Sequence, residues 1–400
     1  MSEEKISVLI VDDSALMRNL IGRIVENEPD FQVAGKAMNG SFALAKLEKL
    51  DPDVIVLDLE MPEMNGIEFL RERQKRNIQI PVIILSSHAE EGAHITMEAL
   101  SLGASDFILK PTGGDGRELQ SVAKVLVEMI RAYGGKYKKN RSKSTQPPVI
   151  PSMTSPSSLQ VSPPPSRSST QDLSPGQVRS PFTPTASQVF PPAEGVAKPP
   201  MPRKAPGPLE IVAIGVSTGG PNALREVFPK LDEDFPVPIV VVQHMPPGFT
   251  EEFAKSLDRI CALEVKEASE GDILRPGRIL IAPGNRHIVV EKRPLAAIVH
   301  LLDTPPVNGH RPSADVLFDS VARQYGNRAL AVIMTGMGKD GATQIGAIYR
   351  EGGITIGQDE ESCIVYGMPR VAFENGFIQY QVSLSKMADT INRLVKEYAP

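Results

Sequence analysis

The sequence predicts an α/β protein built as two globular units on either side of a tether. Three observations carry that prediction. Residues 5 to about 131 alternate apolar strand patterns with helical ones, residues from about Lys138 to Pro208 hold close to half of the chain's 36 prolines, and alternation resumes at Leu209. Alternation of this kind lays helices over the faces of a mostly parallel sheet. A stretch rich in Pro, Ser, Thr and Gln buries too little apolar surface to offset chain entropy and is expected to be disordered. The chain's 400 residues leave room for two cores around such a tether, with expected boundaries 1–131, 132–207 and 208–400.

Composition narrows the class. A formal charge of -5 and a pI near 5.8 disfavour nucleic acid as a main partner, since phosphate binding asks for a basic surface. The two cysteines, Cys261 and Cys363, form no disulfide framework and fit a reducing compartment. No apolar run reaches the roughly 18 residues that would span a bilayer. Met1 to Lys5 opens with Glu3 and Glu4 rather than a basic leader, so a cytoplasmic protein without membrane insertion is expected.

In the first unit the strands are expected at Ile6-Val11, Phe31-Gly35, Val54-Asp58, Val82-Leu85 and Asp106-Leu109, each followed by a helix. Ligands of such folds sit at the carboxyl ends of the strands. Asp12 and Asp13 end the first strand, Asp58 the third, Ser86 the fourth and Lys110 the fifth. Carboxylates converging on one edge repel unless a cation lies between them, and hard oxygen ligands favour Mg2+. Lys110 and Ser86 could then hold a phosphoryl group on Asp58. Singly, Asp13 reads as a helix cap, Ser86 as a turn and Phe107 as core; jointly they do not.

This constellation resembles the response-regulator receiver domain, a flavodoxin-like five-stranded parallel sheet, over the whole first unit. The resemblance implies Asp58, in L-D-L-E-M-P, as acceptor of phosphate from a histidine kinase. It also implies Asp12, Asp13, Asp58 and the backbone carbonyl of Glu60 around the metal, with Ser86 and Lys110 on the phosphoryl oxygens and Phe107 as a switch aromatic.

The tether, taken as a flexible coil, would span roughly 45 Å. It opens with Lys136, Lys138, Lys139, Arg141 and Lys143. A basic run of this kind reads as a solvated face, with docking as the alternative.

The second unit starts with L-E-I-V-A-I-G-V-S-T-G-G-P, residues 209 to 221, a buried strand that runs into Ser217 and a Gly-Gly-Pro helix start. The glycines let a serine stand clear of the sheet beside free helix N–H groups. Further strands are expected at Ile239-Val242, Ile279-Ala282, Ile288-Val290, Ala297-Leu301 and Leu330-Met334, with Ile288-Leu301 a hairpin about Lys292-Arg293-Pro294. Helices are expected near 247–259, 313–325, 340–350 and 383–397. Three strands end in reactive residues: Ser217, then His244 in Q-H-M, then T-G-M-G-K-D ending at Asp340. On one parallel edge a nucleophile, a base and a carboxylate can meet. Of the six histidines, His88 and His94 fall in the first unit and His300 reads as strand packing. His244 is best placed as the base. His287 and His310 read as hydrogen-bonded loop histidines that could line a pocket, Cys363 as buried, and Asp340 as a helix N-cap that also orients an imidazole.

G-V-S-T-G-G-P, V-V-Q-H-M-P, I-A-P-G-N, V-N-G-H-R-P-S-A-D-V-L-F and M-T-G-M-G-K-D-G, in that order after a receiver, resemble the chemotaxis protein-glutamate methylesterases of the CheB type. The resemblance implies Ser217 as nucleophile, His244 as base, Asp340 as its partner and the Met337 backbone amide as oxyanion donor. It implies hydrolysis of glutamate γ-methyl esters on chemoreceptors, deamidation of receptor glutamine, and a receiver that covers the site until phosphorylated by a chemotaxis kinase. The expected protein is a monomer whose only cofactor is Mg2+ in the receiver. The family's connector is expected to be much shorter. An adaptor or phosphate sink with an inactive hydrolase fold is the alternative, as is a general esterase; a DNA-binding output lacks its basic helix-turn-helix.

Overall fold

The computed structural model describes residues 5–87, 90–111, 116–144 and 201–399. His88 and the tether between 145 and 200 lie outside the described residues. In the first unit β1 (Ile6–Val11), α1 (Ala15–Glu26), β2 (Phe31–Ala37), α2 (Gly40–Leu50), β3 (Val54–Asp58), α3 (Gly66–Lys75), β4 (Val82–Ser86), α4 (Glu90–Ser101), β5 (Asp106–Leu109) and α5 (Gly116–Ser144) alternate strictly. The strand order is β2-β1-β3-β4-β5, all parallel. Alternation along β1 explains the two layers: Ile6, Val8 and Ile10 bury against α1 and α5, while Leu9 and Val11 join Leu57 and Phe69 on the other face. Side chains start the helices. Ser14 Oγ accepts from Met17 N, Asn39 from Phe42 N, and Asn65 with Glu68 completes a capping box ahead of α3.

In the second unit the elements are β6 (Ile211–Val216), α6 (Gly220–Val227), β7 (Ile239–Gln243), α7 (Phe249–Asp258), β8 (Glu264–Glu267), β9 (Arg278–Ile281), β10 (His287–Lys292) and β11 (Ala297–Leu302). They continue with α8 (Ala314–Tyr325), β12 (Ala329–Ile333), α9 (Ile345–Glu351), β13 (Ile354–Gln358), α10 (Met368–Glu374), β14 (Tyr380–Val382) and α11 (Leu384–Glu397). Seven strands form a parallel sheet ordered β14-β13-β12-β6-β7-β9-β8, and β10–β11 is the separate antiparallel hairpin the sequence predicts. β6 therefore sits centrally, with β7 on one side and β12 on the other. That is the switch point of an open parallel sheet, where a crevice opens beyond the strand ends.

Besides α10, a short helix that was not expected, the elements differ from expectation in four places. The edge strands β8 and β14 and the neighbouring β13 join the sheet without having been anticipated; β8 and β14 are short and only half-buried, so their apolar signal is weak. The last turns before α9 push that helix to Ile345 rather than 340. His287 is not in a loop but opens β10, fully buried.

The fourth difference is α5, which runs on to Ser144 through much of the basic cluster. Lys138 Nζ donates to the Lys5 carbonyl at 2.6 Å, and Arg141 binds Asp51 and Asp53 at 2.6 and 3.0 Å. Asp53 is buried and also accepts from the Ser7 backbone and hydroxyl at 2.9 and 3.0 Å, so it anchors the helix end to β1. Breaking a buried charge pair by removing one partner costs about 3 kcal/mol. Asp53→Ala should lower the urea-unfolding free energy by roughly that amount and speed amide exchange in the last turns of α5; an unchanged urea midpoint would show that the anchor contributes nothing.

Candidate active site

The β6–β7 ladder ends at Val216↔Gln243, so Ser217 and His244 are the next residues beyond a paired position on neighbouring strands. Strand spacing near 4.8 Å then brings their side chains into reach. His244 Nδ1 lies 3.0 Å from Ser217 Oγ, and His244 Nε2 lies 2.8 Å from Asp340 Oδ2. Ser217 is also fixed through its backbone: its N–H donates to the Thr335 carbonyl at 3.0 Å, and its carbonyl accepts from Gly220 N at 2.7 Å. The loop after β12 runs so close to the serine that a Cβ at Gly336 would stand 2.8 Å from Ser217 Cβ and 2.4 Å from Met368 Sδ. Gly219, at φ 80°, makes the turn into α6.

Asp340 is not the cap of its own helix. Its carboxylate reaches the start of α8, where it accepts from Ala314 N at 2.6 Å and Ser313 Oγ at 2.6 Å, and it takes a further bond from Asn308 Nδ2 at 2.9 Å. Burial alone would raise its pKa. The hydrogen bonds from His244, Ser313 and Asn308 and the charge of His244 outweigh burial and hold the carboxyl well below the usual range. Asp340 is thus an ionised acceptor that keeps an N–H on His244 Nε2 and leaves Nδ1 free to accept from the serine. The Met337 and Thr218 amides have no intramolecular acceptor among the described residues, so both are open to an oxyanion. The Thr218 amide belongs to the backbone and is marked by no side-chain pattern in the sequence.

Several further residues resolve. His287 accepts from Ser313 N at Nδ1 and contacts the Pro305 carbonyl at Nε2, so it positions Ser313 rather than the base. His310 makes no side-chain hydrogen bond among the described residues, contrary to expectation; its ring stacks on His244 with centroids 3.8 Å apart. His300 is not core packing: it stands between Glu270 and Glu291, whose hydrogen bonds raise its pKa. Cys363 is buried, and burial pushes its thiol to about 12.

At the other sheet edge, carboxylate oxygens of Asp12, Asp13 and Asp58 lie within 4.8 Å of one another. Lys110 Nζ stands 2.7 Å from Asp58 Oδ2 and 3.4 Å from Asp12 Oδ2, yet neither oxygen receives a well-formed hydrogen bond. Buried, under-satisfied hard oxygens of this kind fit a divalent cation. Burial, only partly countered by Lys110, lifts Asp58 to about 6. The Glu60 N–H donates to Asp58 Oδ1 at 3.2 Å. The Ser86 hydroxyl bonds Thr96 Oγ1 at 2.7 Å, a partner on α4 that the sequence did not suggest.

The first unit covers the second unit's crevice. Phe107 stacks on Phe249 with centroids 5.0 Å apart and planes 9° from parallel. Asp106 Oδ2 accepts from Gly219 N at 2.8 Å, Asn222 Nδ2 donates to the Ala104 and Ser105 carbonyls, and His94 meets Glu252 at 3.1 Å. Lys136, from the basic cluster, donates to the carbonyls of Glu361 and Cys363 at 2.9 and 3.0 Å, so part of that cluster docks. Between the units a cavity of about 210 Å³ is lined by Phe107, Met129, Ser217, His244, His310 and Met337.

Residues 212–391 match the family described as CheB methylesterase, and residues 8–123 match the response regulator receiver domain. Over 398 residues the chain is 56% identical to the protein-glutamate methylesterase/protein-glutamine glutaminase of Treponema denticola, covering 99% of this chain and 100% of that protein. It is 53% identical over 398 residues to the protein of that description from Treponema pallidum, covering 98% of each. With the Koribacter versatilis protein-glutamate methylesterase/protein-glutamine glutaminase 2 the identity is 44% over 386 residues, covering 96% of this chain and 95% of that one.

The raised Asp58 carboxyl sets a sign for stability against pH. A carboxyl whose folded pKa lies above its unfolded value binds its proton more tightly when folded, favouring the fold at low pH and opposing it once ionised. With metal chelated, Asp58→Asn should therefore exceed the wild type at pH 7 by about 1 kcal/mol, less than a full uncompensated shift because Lys110 loses a partner. The gap should close as the pH falls through 6 towards 4; urea midpoints at both ends check this, and a gap independent of pH would refute it.

Proposed function

The chain belongs to the CheB-type protein-glutamate methylesterases/protein-glutamine glutaminases, enzymes of chemotaxis with a response-regulator receiver, and on that basis we propose the roles of its residues. Ser217 is the nucleophile: as Oγ attacks the γ-carbonyl of a methylated glutamate on a chemoreceptor, its proton passes to His244 Nδ1. Asp340 holds the imidazole and stabilises the imidazolium. The amides of Met337 and Thr218 receive the oxyanion. His244 then protonates the leaving methanol, or ammonia from glutamine, and activates the water that frees the enzyme. The single observation that carries this reading is the continuous chain from Ser217 Oγ through His244 to Asp340, with bonds of 3.0 and 2.8 Å. That chain disfavours an adaptor with a dead hydrolase fold.

In the same reading residues 1–144 are the regulatory domain, 145–200 the tether and the remainder the catalytic domain, acting as a cytoplasmic monomer. The two cysteines are unpaired, as expected of a protein in a reducing compartment. Asp12, Asp13, Asp58 and the Glu60 carbonyl would hold Mg2+, whose charge would offset that of the phosphoryl group a chemotaxis histidine kinase places on Asp58. Lys110 and Ser86 then contact the phosphoryl oxygens, Ser86 giving up Thr96 to do so. Lys110 immediately follows β5, the strand that presents Phe107 and Asp106 to the catalytic domain, so phosphorylation loosens the cover over Ser217.

Methanol release from methylated receptor membranes tests the assignment. Ser217→Ala should lose activity on the order of 10⁴-fold or more. Phosphodonor should raise wild-type kcat/KM by roughly 5- to 150-fold, the span of ordinary allosteric couplings, and leave Asp58→Asn unchanged. Equal release with and without donor would refute the gating, and release by Ser217→Ala the nucleophile.

Loss of the Phe107–Phe249 stack should imitate part of the phosphorylated state. Phe107→Ala without donor should release methanol several-fold faster than the wild type, since an aromatic pair contributes about 1 kcal/mol beyond its burial; a rate at or below the wild type's counts against the cover.

A further inference from the structure

His310 lies at the end of a two-residue turn built to carry it. Val307 and His310 exchange backbone hydrogen bonds at 3.0 and 2.9 Å, and the residues between them, Asn308 and Gly309, have φ of 52° and 81°. Those two left-handed positions are the signature of the tight hairpin turn that Asn-Gly favours. The turn touches the triad twice. Asn308 Nδ2 donates to Asp340 Oδ1 at 2.9 Å and to Asp315 Oδ2 at 2.7 Å, and the His310 ring lies over His244 with centroids 3.8 Å apart and planes 9° from parallel.

Hydrogen bonds at both nitrogens of His244 leave its ring one easy motion, a tilt about the line from Ser217 Oγ to Asp340 Oδ2. A parallel ring at stacking distance blocks that tilt on one face. Neither nitrogen of His310 makes a hydrogen bond among the described residues, so its contribution in this arrangement is its face. Burial and the neighbouring His244 push its pKa down to about 4, which keeps it neutral beside a base that must accept a proton.

Resting on the reading of Ser217 and His244 given above, we propose that His310 is a positioning residue, a neutral ring stacked on the base that holds its plane during proton transfer. Among the described residues it makes no hydrogen bond to Ser217 or Asp340. Its effect on turnover passes through the orientation of His244, and misplacement of a reacting group by about an ångström costs roughly 100-fold.

The test uses the full-length protein with acetyl phosphate and Mg2+, and reads the labelling rate of Ser217 by a fluorophosphonate probe alongside methanol release. His310→Ala and His310→Leu should slow labelling roughly 10- to 100-fold and lower kcat with KM little changed, whereas His310→Phe, which keeps a flat neutral ring, should stay within about 3-fold of the wild type. Thermal midpoints identify variants that lose the fold; should His310→Ala be one, the comparison of Phe with Leu decides. Wild-type labelling by His310→Ala or His310→Leu would overturn the proposal, and so would a folded His310→Phe as slow as His310→Leu. A wild type that labels readily but releases no methanol would refute the proposed substrate while leaving the labelling comparison at His310 intact.

Discussion

The catalytic geometry depends on three parallel strands ending side by side with almost no side-chain bulk between them. β6 lies between β7 and β12; Ser217 and His244 directly follow β6 and β7, and Asp340 lies in the loop that follows β12. Parallel register sets the Ser217 to His244 approach, because the ladder stops one pair earlier. The β12 loop closes the third side only because residue 336 is glycine. Asp340 in turn sits on the first turn of α8, so the carboxylate that orients the base is itself held by a helix N-terminus and the Ser313 hydroxyl. Ser313 is held by His287 from β10. A chain of buried hydrogen bonds thus links the hairpin to the nucleophile, and each member limits the freedom of the next.

A second dependence runs between the domains. β5 is four residues long, yet Lys110 just beyond it pairs with Asp58, while Phe107 and Asp106 within it meet Phe249 and Gly219. The phosphorylation edge and the crevice over Ser217 are therefore separated by one short strand and not by a long relay. Asp106 is buried, and burial lifts its carboxyl to about 6 despite bonds from Gly219, Phe107 and Tyr133. A carboxylate kept at the start of α6 at that desolvation cost is a specific docking contact, as is Asn222 on two backbone carbonyls.

Much of this was legible in the sequence because it lies where period and punctuation coincide. Strands rich in Val and Ile ending in Asp, Ser or His mark both sheet edges, and glycine after Ser217 marks the turn, so the placement of Ser217, His244 and the acidic cluster was legible from strand ends, while the part given to Asp340 came from the family resemblance. What escaped has a physical reason in each case. β8 and β14 are short edge strands with little apolar content. The extension of α5 rests on salt links from Lys138 and Arg141 to loop acids far away in sequence, which no local pattern reveals. The Thr218 amide leaves no mark in a side-chain pattern, and the His310 ring stacks on a residue 66 positions away, from 244 to 310. Asp106 reads as a polar residue opening a strand; only the packing of the other domain shows its partner.

Among the described residues the cover over the crevice is made of directional contacts: one aromatic stack, one carboxylate on an amide, and side chains donating to backbone carbonyls. Bonds of these kinds contribute on the order of 1 kcal/mol each, and several together keep the crevice covered. The same modest size makes the cover reversible, because a phosphoryl group that shifts the balance by 1–3 kcal/mol can expose the site. A larger apolar interface would hold the domains closed against that signal. A contact made largely of directional bonds to backbone atoms remains within reach of one charge placed at the end of β5.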